Sequence, residues 1–213
     1  SIGDLHNWYS AAGCEIETGR TGQVSDQQDG LRYPAFYRVQ DNQAAKGLWL
    51  GATNFYDPVV NKDYEYKVIH AGPRHLDIEN ETMPVDMTMD GKYDHPNVFV
   101  DGDPATNLQY LDDVDNVDPS LPSDRRINNT VQTSIGVQMK RTIYAFSHPK
   151  HQNYHIQEYV FTNNGCFDAD CNTSYEQTLE GFQVYLQYRY AISREGMVYD
   201  GNWLPQSLSL IHI

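Results

Sequence analysis

Apolar and polar residues alternate most cleanly in the second half of the chain. Residues 133–146 read TSIGVQMKRTIYAF, with Ile135, Val137 and Met139 alternating with Gly136, Gln138 and Lys140. A period of two is the pattern of a strand with one buried face. After the loop SHPKHQN a second strand is predicted over 154–162. It is closed by Asn163, Asn164 and Gly165, residue types that tolerate positive φ in turns. A third strand is predicted over 182–193. Phe182, Val184, Leu186, Tyr188, Tyr190 and Ile192 share one face, while Gln183, Gln187 and Arg189 lie on the other.

The first half is less regular. Residues 48–55 (LWLGATNF) and 64–70 (YEYKVIH) read as strands around a turn at Tyr56, Asp57 and Pro58. Residues 83–89 (MPVDMTM) read as an edge strand, because Pro84 has no N–H to give to a ladder. Residues 101–123 form a long acidic connection, of a length that tends to be functional or mobile. The one helical candidate, 41–46 (DNQAAK), is short. The fold expected is mostly β, an antiparallel β-sandwich with long loops, occupying residues 1–206 as one domain. Residues 1–40 form an irregular portion draped over it.

Composition agrees with a packed β protein. Only 39% of the 213 residues are apolar, but 16 Tyr, 7 Phe and 3 Trp add large areas for burial and argue against disorder. The net charge of −14 repels phosphate backbones and anionic lipid, so no nucleic-acid partner is expected. No apolar run approaches bilayer length, so no membrane span is expected either.

Chemistry-bearing residues are sparse. Cys166 and Cys171 enclose a short polar loop, CFDADC, and either form a loop disulfide suited to an oxidising compartment or remain two reduced thiols. Cys14 stands apart, and no second pair completes a zinc site. Seven aspartates (101, 103, 112, 113, 115, 118 and 124) crowd one stretch without a basic residue. Asp113, Asp115 and Asp118 are the candidate ligands for Ca2+, which takes six to eight oxygens. The alternative is a solvated loop ending at Arg125 and Arg126. His148, His151 and His155 have a spacing that would gather imidazoles on a helix, but Pro149 and the flanking strands make them loop residues.

No GxSxG, GxGxxG or Walker-type string occurs, and Glu158, Glu176, Glu180 and Glu195 cannot be paired into a hydrolytic dyad from sequence. Tyr185, beside Gln183, Gln187 and Arg189, suits stacking on a sugar, although strand propensity alone also selects Tyr there.

Six stretches carry a resemblance: GDLHNWYSAAGCE (3–15), GQVSDQQDGLRYPA (22–35), AKGLWLGATNFYDP (45–58), YKVIHAGPR (66–74), TSIGVQMKRTIYAFS (133–147) and FQVYLQYRYAISRE (182–195). Together they resemble an uncharacterised family of large secreted proteins from Bacteroidetes-like environmental bacteria, often with fibronectin-type modules and a type IX secretion sorting domain. The resemblance implies export and carries no activity and no catalytic residues. The last seven residues, SLSLIHI, resemble the translation of a sequencing-adaptor read-through, and the chain starts at Ser1. A fragment of a longer protein, with further domains in the same chain, is therefore expected. The expected function is a non-enzymatic extracellular β-sandwich region with an adhesive or scaffold role toward a surface or glycan ligand. The alternative is a carbohydrate-binding or glycoside-processing module.

Overall fold

Residues 133–136 form a tight turn rather than the start of a strand, and that turn organises the larger sheet. Gly136 takes φ 73° and its N–H reaches Thr133 O at 3.2 Å, while Thr133 Oγ1 donates to Val137 O at 2.7 Å. The turn joins Arg125–Thr133 to Val137–Ala145 as an antiparallel hairpin. The sequence pattern missed the first of these strands, RRINNTVQT. Its inward positions include a polar residue, Asn129, which breaks the apolar alternation.

The computed structural model describes residues 2–15, 31, 33–35, 43–71, 81–94, 99–104 and 114–190. Ten strands follow in order: β1 (Gln43–Asp57), β2 (Lys62–His70), β3 (Thr82–Gly91), β4 (Phe99–Val100), β5 (Asp103–Pro104), β6 (Asn116–Val117), β7 (Arg125–Thr133), β8 (Val137–Ala145), β9 (His155–Asn163) and β10 (Glu180–Tyr190). They build a five-stranded sheet in the order β6-β3-β7-β8-β9 and a three-stranded sheet in the order β10-β1-β2. The small β4–β5 ribbon turns at Asp101 and Gly102, both at positive φ. All pairings are antiparallel except the short contact of β6 with Asp90 and Gly91 of β3.

Among the described residues there is no helix, and hence none long and apolar enough to cross a membrane. Residues from Gln43 onward in the short candidate helix belong to β1. The acidic connection is not structureless, since it holds the β4–β5 ribbon and β6. Among the described residues β3 is bordered on its outer side only at its last two residues, which leaves Pro84 on an unpaired edge. Ile192, Ser193 and the terminal heptapeptide lie outside the described residues.

The two larger sheets pack as a sandwich. Leu48, Leu50, Phe55, Ile69 and Ala71 from the three-stranded side meet Val131, Ile135, Val137, Met139 and Phe167 from the other. Phe161 of β9 and Phe182 of β10 extend this contact, with ring centroids 6.1 Å apart. Further along β10, Val184 and Leu186 are exposed although they stand opposite the buried Leu50 and Leu48. Among the described residues β10 is the edge strand of its sheet, and its apolar face is covered where the second sheet reaches it.

Leu50 is fully buried between the sheets. Leu50→Ala is therefore expected to cost about 2–5 kcal/mol, read as a lower urea midpoint with an unchanged m-value. Val60→Ala, at an exposed turn position, is expected to stay within about 0.5 kcal/mol of the parent.

Candidate functional site

Arg141 continues the inward row of β8, next to Met139 and Ile143, yet it is only 1% exposed. A guanidinium there needs acceptors, because an unpaired buried charge is costly. Its two terminal nitrogens find them, while Nε has no hydrogen-bond partner among the described residues. Residues 2–15 supply the acceptors. Arg141 Nη1 donates to Gly13 O (3.0 Å) and Cys14 O (3.3 Å), and Nη2 donates to Ser10 O (3.0 Å) and to Asn129 Oδ1 (3.1 Å). A tight turn presents those carbonyls: Ser10 N donates to Cys14 O, Gly13 N donates to Ser10 O, and Gly13 sits at φ 87°. The Tyr9 ring covers the cation, with its centroid 5.3 Å from the guanidinium carbon.

The same cluster holds Tyr9, Glu15, His155, Gln157 and Tyr159. Burial, aided by the charge of Glu15, pushes the Tyr9 hydroxyl well above its ordinary range, so it remains protonated. Burial likewise raises Tyr159. Tyr9 Oη lies 3.0 Å from His155 Nδ1, and Tyr159 Oη donates to Gln157 Oε1 at 2.8 Å. Gln157 Nε2 and Asn7 Nδ2 both donate to the Glu15 carboxylate. These groups turn toward one another and toward the backbone of residues 10–14. The arrangement is a clamp that fixes the N-terminal segment on the sheet. The sequence held one signal for it, a basic residue on the apolar stripe of a predicted strand.

The three histidines at 148, 151 and 155 divide between two places. His155 faces Tyr9, whereas His148 and His151 sit in the β8–β9 turn with ring centroids 5.5 Å apart. His151 hydrogen-bonds Tyr154. Among the described residues no group of three His, Cys, Asp or Glu side chains is placed to hold a metal ion.

Of the aspartates considered for calcium, Asp113 lies outside the described residues. Asp115 Oδ2 accepts from Met89 N at 2.6 Å, tying the acidic connection to β3. Asp118 Oδ1 accepts from the N–H and hydroxyl of Ser120, and these bonds hold its carboxyl below the usual range. Asp90, absent from the sequence-level candidates, is the best-buttressed carboxylate of this region. Its Oδ2 accepts from Arg126 Nε (3.0 Å), Arg126 Nη2 (2.7 Å) and Asn128 Nδ2 (2.8 Å), and its Oδ1 accepts from Asn116 Nδ2 (3.0 Å). Burial raises the carboxyl pKa, but the hydrogen bonds from Asn116, Arg126 and Asn128 and the Arg126 charge outweigh it, and the net shift is downward.

Cys166 and Cys171 are joined by a disulfide, with Cα atoms 4.8 Å apart. Asp168 braces the loop between them: its carboxylate accepts from the backbone N–H groups of Asp170, Asn172 and Thr173. The loop matters to the core because it carries Phe167, whose ring lies 6.3 Å from that of Phe55.

The outer face of the three-stranded sheet is the most open arrangement of rings. Register places Trp49 between Tyr185 and His70, and Gly51 between Gln183 and Val68. Trp49 and His70 meet edge to face at 5.3 Å, and the indole folds over Gly47, where a side chain could not fit. Tyr185 is 57% exposed. The class defined by fold and site is thus a mostly antiparallel β-sandwich with a buried arginine clamp and an aromatic outer face. No protein-family profile, curated protein or solved structure matches the chain.

Two outcomes test these assignments. Arg141→Met strands several buried carbonyls, so it is expected to lose about 3 kcal/mol or more and to speed amide exchange at Ser10 and Gly13. A neutral urea melt for that variant would dismiss the clamp. Asp90 has a folded-state pKa below its unfolded value, so its ionised form is favoured by folding. Its contribution is present above about pH 4 and disappears as pH falls through the folded value. Urea midpoints taken from pH 7 down to about pH 2.5 are expected to fall less steeply at the acid end in Asp90→Asn.

Proposed function

We propose that this chain is a non-enzymatic β-sandwich region of a larger secreted or cell-surface protein, with an adhesive or scaffold role. The observation that carries this reading is how six of the described aspartates are used. Asp57 accepts from Val59 N, Val60 N and Lys67 Nζ, and Asp124 accepts from Ser147 N. Asp90, Asp115, Asp118 and Asp168 are similarly tied to the protein's own donors. Acids held this way brace turns and strand edges and have little freedom to move protons for a substrate.

Two further features support a place outside the cytoplasm. A disulfide persists in an oxidising compartment. A net charge of −14 keeps a protein soluble at a crowded surface and away from nucleic acid. The sequence resemblance to exported bacterial proteins points the same way.

The direct test is antibody labelling of intact cells and of culture medium. Label at the surface or in the medium is expected, and label found only after lysis would remove the reading. A companion measurement concerns the bridge. Replacing Cys166 and Cys171 together by Ser is expected to cost about 2 kcal/mol, the loop-entropy value for so short a ring. Intact mass after alkylation without reductant is expected to show neither thiol labelled in the parent protein.

A further inference from the structure

We infer that the outer face of the three-stranded sheet binds a neutral polysaccharide, whose sugar rings stack on Tyr185 and Tyr66 across a trough floored by Gly51. The inference rests on the adhesive reading above and names the ligand class of its binding face.

The trough is built by register. Cross-strand partners share a face, so the Tyr185–Trp49–His70 row, the Gln183–Gly51–Val68 row and the Thr53–Tyr66 pair all present to the same side. Gly51 sets the depth. A Cβ added there would sit 3.5 Å from Val68 Cγ2 and 3.4 Å from Lys67 O, so the smallest residue lies at the centre of the face. Around it stand Tyr185, Tyr66 (69% exposed) and Val68 (49% exposed). Strands about 4.8 Å apart put the β2 and β10 side chains about 10 Å from each other across β1, leaving a shallow channel. Trp49, wedged between His70 and Gly47, is a rigid base beside that channel.

The chemistry of the face selects the occupant. Tyr rings offer large, rigid, amphipathic contact area at little entropic cost. Gln183 adds an amide donor and acceptor between the two tyrosine rows, and Gln187 adds another beyond Tyr185. The two rows through Trp49 and Gly51 hold no Asp, Glu, Lys or Arg, although the whole chain carries −14. Charge enters the face at its ends, with Glu180 beside Thr53 in the Tyr66 row and Arg189 beyond Gln187. A charged polymer would meet one acid and one base at opposite ends of the face and no run of countercharge. A protein partner seeking a dry contact would meet rings interrupted by a glycine and by amides rather than a contiguous apolar core. A neutral sugar chain, with apolar ring faces and hydroxyl rims, matches both the rings and the amides.

Affinity electrophoresis of the full chain tests this, in native gels containing galactomannan, xyloglucan or mixed-linkage β-glucan, with polygalacturonate as the acidic comparator. Retardation is expected in at least one neutral gel and none in polygalacturonate. Tyr185→Ala and Tyr66→Ala are each expected to weaken binding about tenfold, the loss typical of truncating a dominant aromatic contact, with melting curves unchanged. Tyr185→Phe keeps the ring and is expected to retain most of the retardation, so a folding failure in the alanine variant leaves the stacking role measurable. Three results would each overturn the inference: no retardation in all three neutral gels, equal retardation in polygalacturonate, or retardation that survives replacement of both tyrosines in a folded protein. Labelling of intact cells reads location separately. Surface label without retardation removes the glycan alone, whereas label confined to lysates removes the surface reading on which it rests.

Discussion

The buried guanidinium of Arg141 is the constraint around which one end of the sandwich is arranged. A permanent positive charge inside a sheet interface must be met by oxygen, and two of its nitrogens are met by the carbonyls of residues 10, 13 and 14 and by Asn129. That demand explains why a segment without strands of its own sits firmly on β8. It explains the left-handed Gly13, which turns the chain so that successive carbonyls point one way. It also explains why Tyr9 lies over the cation and remains protonated. Arginine suits this task better than lysine because its planar fork reaches several acceptors at once.

Away from the clamp, the sandwich relies on a division of labour between apolar contact and side-chain bracing. The centre is held by residues such as Leu50, Ile69, Val131 and Met139, all fully buried. Strand ends and turns are braced by carboxylates bonded to backbone N–H groups, as by Asp57 at the end of β1 and Asp168 in the disulfide loop. Gln132 shows the same logic inside the molecule: its amide reaches Asn164 and Cys166 O, docking the disulfide loop against β7. The centre of the outer face of the three-stranded sheet, in the rows through Trp49 and Gly51, is left to rings and amides.

The fold class and most of the strands were legible because alternation survives wherever one face is buried against apolar neighbours. β1 and β8 carry that pattern, whereas β10 and β2 alternate although Val184, Leu186, Tyr66 and Val68 are exposed. β7 escaped because Asn129, facing inward, serves Arg141 and the Ala11 carbonyl rather than apolar contacts. The turn at 133–136 reads as strand in the sequence because Ile135, fully buried, keeps the alternation running through it. β6 and the β4–β5 ribbon are only two residues per strand, too short for any period to register. Of the candidate site, Tyr185 and Gln183 were visible as a polar strand face. The contributions of Gly51, Val68 and Tyr66 come from other strands, and only register brings them alongside.

The sequence by itself determined what depends on neighbours along the chain: the β character, the turn residues, the closeness of Cys166 to Cys171 and the acidity. Tertiary structure decided which polar residues are buried and which apolar ones are not. Arg141 is buried because carbonyls about 130 residues away are folded onto it. Val184 and Leu186 are exposed because, among the described residues, β10 lies at an edge. Burial belongs to the partner surface rather than to the residue, and partners distant in sequence are joined only when the sheets form.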